Sequence, residues 1–253
     1  MRPELVFIGT GEALDPELPN TSLLVRGPQT ILLDCGYAVP HAFWKISRDV
    51  DLLDAIWISH THADHVFGLP PLLLWMRLGG RKRPLTILCG PGQAGKLEQL
   101  LELGYPGSYA PHKCYAIEFV ELRREGVSCF GDYALRIAPS AHSIVNYALR
   151  LEASGLRSLV YSGDGFPTEA TRELCRGVSV LVHECFFPGS GDRKHGGVDS
   201  CLELARASSV GTLALLHFAS EAKQAIRERV DVREDFEIML PNPGDTLALG
   251  NRE

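Results

Sequence analysis

The sequence has no Cys-x-x-Cys pair, although it contains seven cysteines in 253 residues. An odd number of thiols without paired spacing argues against a disulfide framework. We therefore expect reduced, mostly buried thiols in a cytoplasmic protein. These cysteines are Cys35, Cys89, Cys114, Cys129, Cys175, Cys185 and Cys201.

Long hydrophobic runs are also missing from this sequence. No segment reaches the roughly 18 apolar residues that a membrane-spanning helix needs. The apolar stretch near the start, Leu5–Ile8, is too short for a signal peptide. We therefore expect no membrane contact.

Basic residues are fewer than acidic ones, with 25 Lys and Arg against 31 Asp and Glu, so the formal net charge is −6. This balance argues against a broad surface for polyanions, and any contact with nucleic acid should be local. Hydrophobic residues make up 45% of the chain, which is typical of a globular protein. Because no linker or repeat interrupts the sequence, we predict a single domain over residues 1–253.

Three histidines and one aspartate are concentrated in the short segment that contains His60, His62, Asp64 and His65. The segment follows Ala55–Ile58, an apolar run that predicts a buried strand. Imidazole is a common zinc ligand, and a neighbouring carboxylate suits zinc, manganese or iron. A purely structural role is the alternative, but so many donors in one loop favour a metal site.

Three further donors each follow a predicted strand later in the chain, namely His142, Asp164 and His217. One histidine at the end of a strand is more often structural than ligating. Several such positions in one chain favour convergence of the donors at one edge of the sheets. The order of predicted strands and helices favours two sheets packed face to face with helices outside, in an α/β fold.

The segment His60-Thr61-His62-Ala63-Asp64-His65 resembles the His-x-His-x-Asp-His motif of the metallo-β-lactamase superfamily. The resemblance covers nearly the whole chain and implies a four-layer αββα sandwich, in one hydrolase domain, with two divalent metal ions at one sheet edge. Zn²⁺ is the expected ion, with Mn²⁺ and Fe²⁺ as alternatives. Cysteine usually stands at the position of Asp164 in true lactamases, so the aspartate argues against that activity.

The same resemblance implies how the donors divide between the two metals. His60, His62 and His142 would bind one ion, while Asp64, His65 and His217 would bind the other, with Asp164 bridging them.

Within the superfamily, the chain resembles the ribonuclease Z group and its small phosphodiesterase relatives. The matching stretches are Gly9–Gly11, Leu33–Gly36, Ser162–Asp164, Val182–Glu184 and the later loop with His195. The resemblance implies that His195 is an additional catalytic histidine and that Glu184 orients it. Many ribonuclease Z enzymes carry a long arm for transfer RNA between the third ligand and the bridging aspartate. Here residues 143–163 fit a simple hairpin, which weakens the transfer-RNA hypothesis.

The resemblance implies hydrolysis of a phosphodiester by a metal-bound hydroxide, in RNA or in a small cyclic or diester phosphate. Asp64 would bind a metal and also orient or deprotonate the nucleophile. His195 would protonate the leaving oxygen or donate a hydrogen bond to the phosphoryl group. A metal-dependent hydrolase of a carboxylic ester, thioester or lactone is the alternative, and it does not require His195. A metal-stabilised binding module without catalysis is a third hypothesis. A homodimer is common in the resembled group and stays open.

Several other residues have two interpretations. Asp34 could form a turn or accept a hydrogen bond from a ligand histidine, and we favour the hydrogen bond. The basic loop Gly79–Pro84 could be a solvated turn or a rim that contacts phosphate, and we favour the turn. We expect His183 to lie in the core and His41 and His112 to have no special role.

Overall fold

The structure is a computed structural model, and it describes residues 2–230 and 234–250. Its strands are β1 (Glu4–Gly9), β2 (Ser22–Arg26), β3 (Ile31–Leu33), β4 (Ala55–Ile58), β5 (Leu85–Cys89), β6 (Ile117–Glu121), β7 (Ser128–Phe130), β8 (Tyr133–Ser140), β9 (Asn146–Glu152), β10 (Leu159–Tyr161), β11 (Val180–Glu184), β12 (Thr212–Leu216), β13 (Glu237–Met239) and β14 (Thr246–Ala248). Its helices are α1 (Val39–Ile46), α2 (Ala63–Val66), α3 (Leu69–Leu78), α4 (Ala94–Gly104), α5 (Glu169–Cys175), α6 (Val198–Ala207) and α7 (Lys223–Arg229).

The strands form two mixed sheets of seven strands each within the described residues. The first sheet has the order β14-β1-β2-β3-β4-β5-β6, and strands β3 to β6 run parallel. The second has the order β13-β12-β11-β10-β9-β8-β7, with β10 to β13 parallel and β7 to β10 antiparallel. Strands β2 and β3 are antiparallel neighbours and form a hairpin.

The core is divided by the alternation of side chains along each strand. In β4, Trp57 packs between the two sheets, whereas Ile56 and Ile58 pack under helices α1 and α3. In the second sheet, Leu181 packs under α6 on the outer face, where it contacts the same apolar cluster as Leu204. Strands buried on both faces are continuously apolar, which is why these segments could be recognised in the sequence. The predicted αββα sandwich is confirmed.

The topology brings the carboxyl ends of several strands to one edge. Strands β10, β11 and β12 are parallel, and β8 runs in the same direction because β9 is antiparallel to both β8 and β10. Donor residues that follow β8, β10 and β12 therefore meet at one edge of the second sheet. The equivalent edge of the first sheet carries the loop that follows β4.

In the basic loop Gly79–Pro84, Arg81 is buried. Neither a solvated turn nor a rim that contacts phosphate describes this residue. Its guanidinium donates hydrogen bonds to the carbonyl oxygens of Val50, Leu53, Arg83 and Pro84. These acceptors occupy the nitrogens that a phosphate would need, so Arg81 joins this loop to the segment before β4. The prediction of a solvated turn is therefore wrong for this residue.

The sequence also led to predictions about the cysteines, membrane-spanning segments and the number of domains. All seven cysteines are free thiols, and five of them are buried. Across the part of the chain that the structure describes, we find no helix with the length and apolarity to cross a membrane. The assignment of residues 1–253 to one domain stays a prediction, and it includes positions outside the described residues.

Candidate metal centre

The structure brings all seven expected donors together in two groups that share one aspartate. In each group the potential ligand atoms lie within 4.8 Å of one another. The first group contains His60, His62, His142 and Asp164, and the second contains Asp64, His65, Asp164 and His217. This division is the one that the family resemblance implied.

Asp164 is the residue that joins the two groups. Its Oδ2 lies 3.8 Å from His60 Nε2 and 3.4 Å from His217 Nε2, and these rings belong to different groups. Its Oδ1 lies 3.4 Å from His65 Nε2. One carboxylate therefore faces both donor groups, which is the arrangement that a bridging ligand requires.

Two buried atoms at this centre have no hydrogen-bond partner, His65 Nε2 and Asp164 Oδ1. Buried polar atoms are normally paired, so unpaired ones need an explanation. Both atoms belong to the donor groups, and imidazole with carboxylate is a donor set that divalent transition metals accept. The residues present therefore fit divalent metal ions.

The charges at the centre also fit a cation. Burial disfavours the charged form of His65, but the carboxylates of Asp164, Asp34 and Asp64 outweigh burial and raise its pKa well above the usual value. Burial lowers the pKa of His60 well below its usual value. Three buried carboxylates around His65 concentrate negative charge, which a bound divalent metal ion would neutralise.

Asp34 fixes the orientation of two of these rings, as expected for a residue that supports the ligands. Its Oδ2 accepts hydrogen bonds from His65 Nδ1 and from Ser59 Oγ, each at 2.7 Å. Because the Ser59 hydroxyl donates to Asp34, its 3.0 Å contact with His60 Nδ1 makes that nitrogen a donor. In both rings Nε2 is therefore left without a hydrogen and can bind a metal.

His217 and His142 are held in the same way by other parts of the chain. Thr21 Oγ1 donates to the carbonyl of Gly11 and accepts from His217 Nδ1 at 3.2 Å. His142 Nδ1 donates to the carbonyl of Lys194 at 3.0 Å. Each ring again presents Nε2 to the centre.

His62 faces the centre with Nδ1 and not with Nε2. Its Nδ1 lies 3.1 Å from both His60 Nε2 and His142 Nε2. Three ring nitrogens thus face one point, since the His60 and His142 rings carry their hydrogens on Nδ1. A metal ion at that point would satisfy all three nitrogens.

The backbone around the donors is closely packed. A Cβ atom on Gly36 would lie 1.8 Å from the carbonyl oxygen of Asp64, so only glycine allows this approach. His217 and Asp34 have φ values of 61° and 58°, in the left-handed region that non-glycine residues seldom adopt. Residues in such conformations cluster at functional sites.

Glu184 lies beside this centre at the end of β11, completely buried. Its carboxylate accepts hydrogen bonds from the backbone N–H groups of Gly165, Phe186 and Gly196 at 2.8–3.2 Å. Glu184 therefore ties the loop of the bridging aspartate to the loop that carries His195.

His195 is brought to the centre as predicted. Its Nδ1 lies 3.3 Å from Glu184 Oε1, and its ring contacts the rings of His142 and Phe186 with centroid separations of 4.9 and 4.8 Å. Burial opposes the charged form of His195, but Glu184 outweighs it and raises the pKa of the ring. A half-buried histidine with a raised pKa can carry a proton at neutral pH.

The remaining histidines follow the predictions. His183 is buried, and its Nδ1 donates to the carbonyl of Glu184 at 2.7 Å. His41 and His112 are exposed and belong to neither donor group. The roles of Ser59 and Thr21, which contact the rings of His60 and His217, could not be predicted from the sequence, because a hydroxyl that faces a ring nitrogen across the fold leaves no local pattern.

Comparisons with known proteins agree with this geometry. Residues 3–234 match the protein family described as "Anti-Pycsar protein Apyc1". A protein of that name from Bacillus phage 010DV004 is 30% identical over 236 residues, which cover 85% of this chain and 88% of the phage protein. A ribonuclease Z of Ignicoccus hospitalis is 25% identical over 288 residues, covering 93% of this chain and 94% of the relative. The metallo-β-lactamase fold protein YhfI from Bacillus subtilis superposes with a TM-score of 0.83 at 19% identity, over 98% of this chain and 99% of that structure.

The structural likeness establishes the fold, and the sequence matches extend over most of the chain. The two donor groups combine imidazole and carboxylate, which are suitable ligands for divalent metal ions. The chain belongs to the Anti-Pycsar protein Apyc1 family, and it is a metallo-hydrolase of the ribonuclease Z-like branch of the metallo-β-lactamase superfamily.

Proposed function

We propose that the protein is a phosphodiesterase that opens a cyclic nucleotide by hydrolysis, adding water across one P–O ester bond. The observation that carries the proposal is the pair of donor groups that share Asp164, with His195 beside them. The proposed metal ligands are His60, His62, Asp64, His65, His142, Asp164 and His217. Zn²⁺ is the proposed ion because five of these residues are histidines, and Mn²⁺ and Fe²⁺ are the alternatives.

The chemistry that bound divalent ions supply is a lower pKa for water and neutralisation of negative charge on phosphoryl oxygens. Asp64 has the position to orient the attacking water as well as to bind a metal, since its Oδ2 lies 3.1 Å from His65 Nε2 inside the second group. Burial opposes ionisation of Asp64, but the neighbouring His65 outweighs it and lowers the pKa of the carboxyl. Asp64 therefore stays ionised and can accept a hydrogen bond from water.

His195 is the proposed acid for the leaving oxygen. Glu184 faces its Nδ1, so Nε2 is the nitrogen left to donate a proton to the substrate. The raised pKa of the ring keeps the proton in place until the ester bond breaks. Without such a donor the oxygen would leave as an alkoxide, which is a poor leaving group.

Three observations favour a small cyclic nucleotide over a transfer RNA. Residues 143–163 form only the turn into β9, that strand, a short connection and β10, so this segment contains no arm for a polynucleotide. The name of the matching family points to degradation of cyclic nucleotides. A net charge of −6 also disfavours a long polyanion as the substrate.

The test is hydrolysis of cyclic mononucleotides by purified protein loaded with Zn²⁺ or Mn²⁺, with detection of the linear product. A transfer-RNA precursor and a carboxylic ester serve as competing substrates. We expect turnover of a cyclic nucleotide that falls at least about 100-fold in His195→Ala. Lys194→Ala is the matched control, because it changes the neighbouring side chain but keeps the carbonyl that accepts from His142.

The outcomes separate the candidate functions. Cleavage of the precursor alone would contradict the cyclic-nucleotide proposal and support an endoribonuclease. Ester hydrolysis that survives in His195→Ala, without turnover of any phosphodiester, would support the alternative ester, thioester or lactone hydrolase. Equal activity in wild type and His62→Ala would exclude a catalytic role for the centre.

A further inference from the structure

A cavity of about 560 Å³ lies on the outer face of the second sheet, between strands β8 and β9 and helix α5. None of the seven proposed metal ligands lines it. Four arginines from four different elements do, and they are Arg124, Arg136, Arg150 and Arg176. Its volume lies in the range of roughly 300–1,000 Å³ that is typical of small-molecule sites.

This cavity is positively charged in a chain that is acidic overall. Among the described residues, two carboxylates accompany the four guanidinium groups. Glu173 pairs with Arg176 at 2.8 Å, and Glu152 pairs with both Arg136 and Arg150. The chain as a whole has a net charge of −6. So much positive charge at one concave surface needs either a structural reason or an anionic ligand.

Structure accounts for part of this charge. Arg150 donates to the carbonyl oxygens of Leu174 and Arg176 and so supports the end of α5. Its Nε is buried and has no acceptor. Arg150 is therefore a structural residue that still has one unused donor.

The pairing of the strands leaves a further charge unbalanced. Arg136 and Arg150 are direct partners in the β8–β9 register. Like charges in directly opposite positions destabilise a sheet. Glu152 is shared between them, at 2.6 Å from Arg136 Nη1 and 2.9 Å from Arg150 Nη2, so one carboxylate balances two cations. An added anion would offset the remaining positive charge.

Arg124 has no structural role of this kind. It is exposed, and within the described residues its guanidinium makes neither a hydrogen bond nor an ion pair. It also borders the depression that contains His142 and Ser143, so it stands between the cavity and the metal centre. The floor of the cavity is apolar, with Ala138 and Leu174 from the cluster on the outer face of the second sheet.

We propose that this cavity binds a phosphate-bearing small molecule of the nucleotide class, at a site separate from the metal centre. The planar guanidinium groups of Arg124 and Arg136 contact the phosphate, to which this group is well matched. The apolar floor accommodates the nucleoside part. The site does not depend on which phosphodiester the metal centre cleaves.

Calorimetric titration of the metal-loaded protein with adenosine 5′-monophosphate tests the proposal. We expect two classes of sites in the wild type and one in the Arg124→Gln/Arg136→Gln double variant. Hydrolysis of bis(p-nitrophenyl) phosphate, which reports on the metal centre, should stay within about twofold. Arg227→Gln, an exposed arginine on α7, is the matched control and should keep both sites.

Arg124→Gln alone covers the case in which the double variant does not fold, because Arg124 makes no contact that the fold needs. It should weaken the second site at least about tenfold. If inorganic phosphate competes with an affinity equal to that of the nucleotide, the cavity recognises the phosphate group alone. If the nucleotide binds more tightly than inorganic phosphate, the apolar floor contributes to binding. Nucleotide binding in the wild type that is unchanged in both Arg124→Gln and the double variant, whether it shows one class of sites or two, would overturn the proposal, and so would the absence of nucleotide binding in the wild type.

Discussion

Tyr161 donates a hydrogen bond of 2.7 Å to Asp34 Oδ2, although the two residues are 127 positions apart in the chain. Tyr161 ends β10 in the second sheet, whereas Asp34 follows β3 in the first. The same carboxylate oxygen accepts from Ser59 and His65. Asp34 therefore connects both sheets to the rings of the candidate metal centre.

Replacement of Tyr161 by Phe should weaken metal binding about 10- to 100-fold, which is the usual effect of removing a group that supports a ligand. The phenylalanine keeps the apolar packing and removes only the hydroxyl. Competition with a chelating indicator would measure the affinity. Tyr133→Phe is the control, since its hydroxyl donates to the distant carbonyl of Gln29. Equal affinity in the two variants would contradict a role for Tyr161 in positioning the ligands.

Single substitutions in the two donor groups should reduce metal content in different ways. His62→Ala should lose the ion of the first group and His217→Ala the ion of the second, so each variant should retain about one ion. Asp164→Asn should weaken both sites, because Asp164 faces both groups. Elemental analysis of purified protein gives the stoichiometry, with His112→Ala as the exposed control. Two ions in every variant would refute the proposed ligands.

The pH dependence of hydrolysis should report on His195. Its pKa is raised because Glu184 outweighs burial, so activity that needs the protonated ring is present at low pH and is lost as pH rises through that pKa. In Glu184→Gln the pKa should fall, and the descending limb of the pH–rate profile should move to lower pH. Far-ultraviolet circular dichroism would check that the variant folds, because Glu184 also accepts three backbone hydrogen bonds. An unshifted limb would exclude His195 as the acid.

Two glycine-to-alanine substitutions should have opposite effects. Gly36→Ala places a Cβ 1.8 Å from the carbonyl oxygen of Asp64, so we expect loss of stability and of metal binding. Gly95→Ala in α4 meets no atom within 4 Å and should stabilise the protein by up to about 1 kcal/mol, because alanine favours the helix. Thermal unfolding and metal titration would compare the two. A stable Gly36→Ala protein with full metal content would show that the Asp64 segment can shift without loss.

The sequence alone was sufficient to predict most of the helices and strands and the donors, because their signals are local. The exception is the short helix α2 (Ala63–Val66), which carries Asp64 and His65 where a loop was predicted. The predicted strand Ala55–Ile58, for example, coincides with β4. Each donor follows an apolar strand, and parallel strands of one sheet end at the same edge, so His142, Asp164 and His217 could be expected to meet.

Asp34 was expected from the sequence to support a donor histidine, but only the tertiary structure decided the other supporting side chains and the positions of the charges away from the centre. Tyr161 is an ordinary tyrosine in a buried strand until the second sheet places it against Asp34. Arg81 lies in a loop that is basic in sequence, yet four backbone carbonyls make its burial favourable. Arg124 and Arg136 come together only when β8 and the turn before β7 pack beside α5. Such contacts join residues far apart in the chain, and they depend on atomic distances rather than on periodicity.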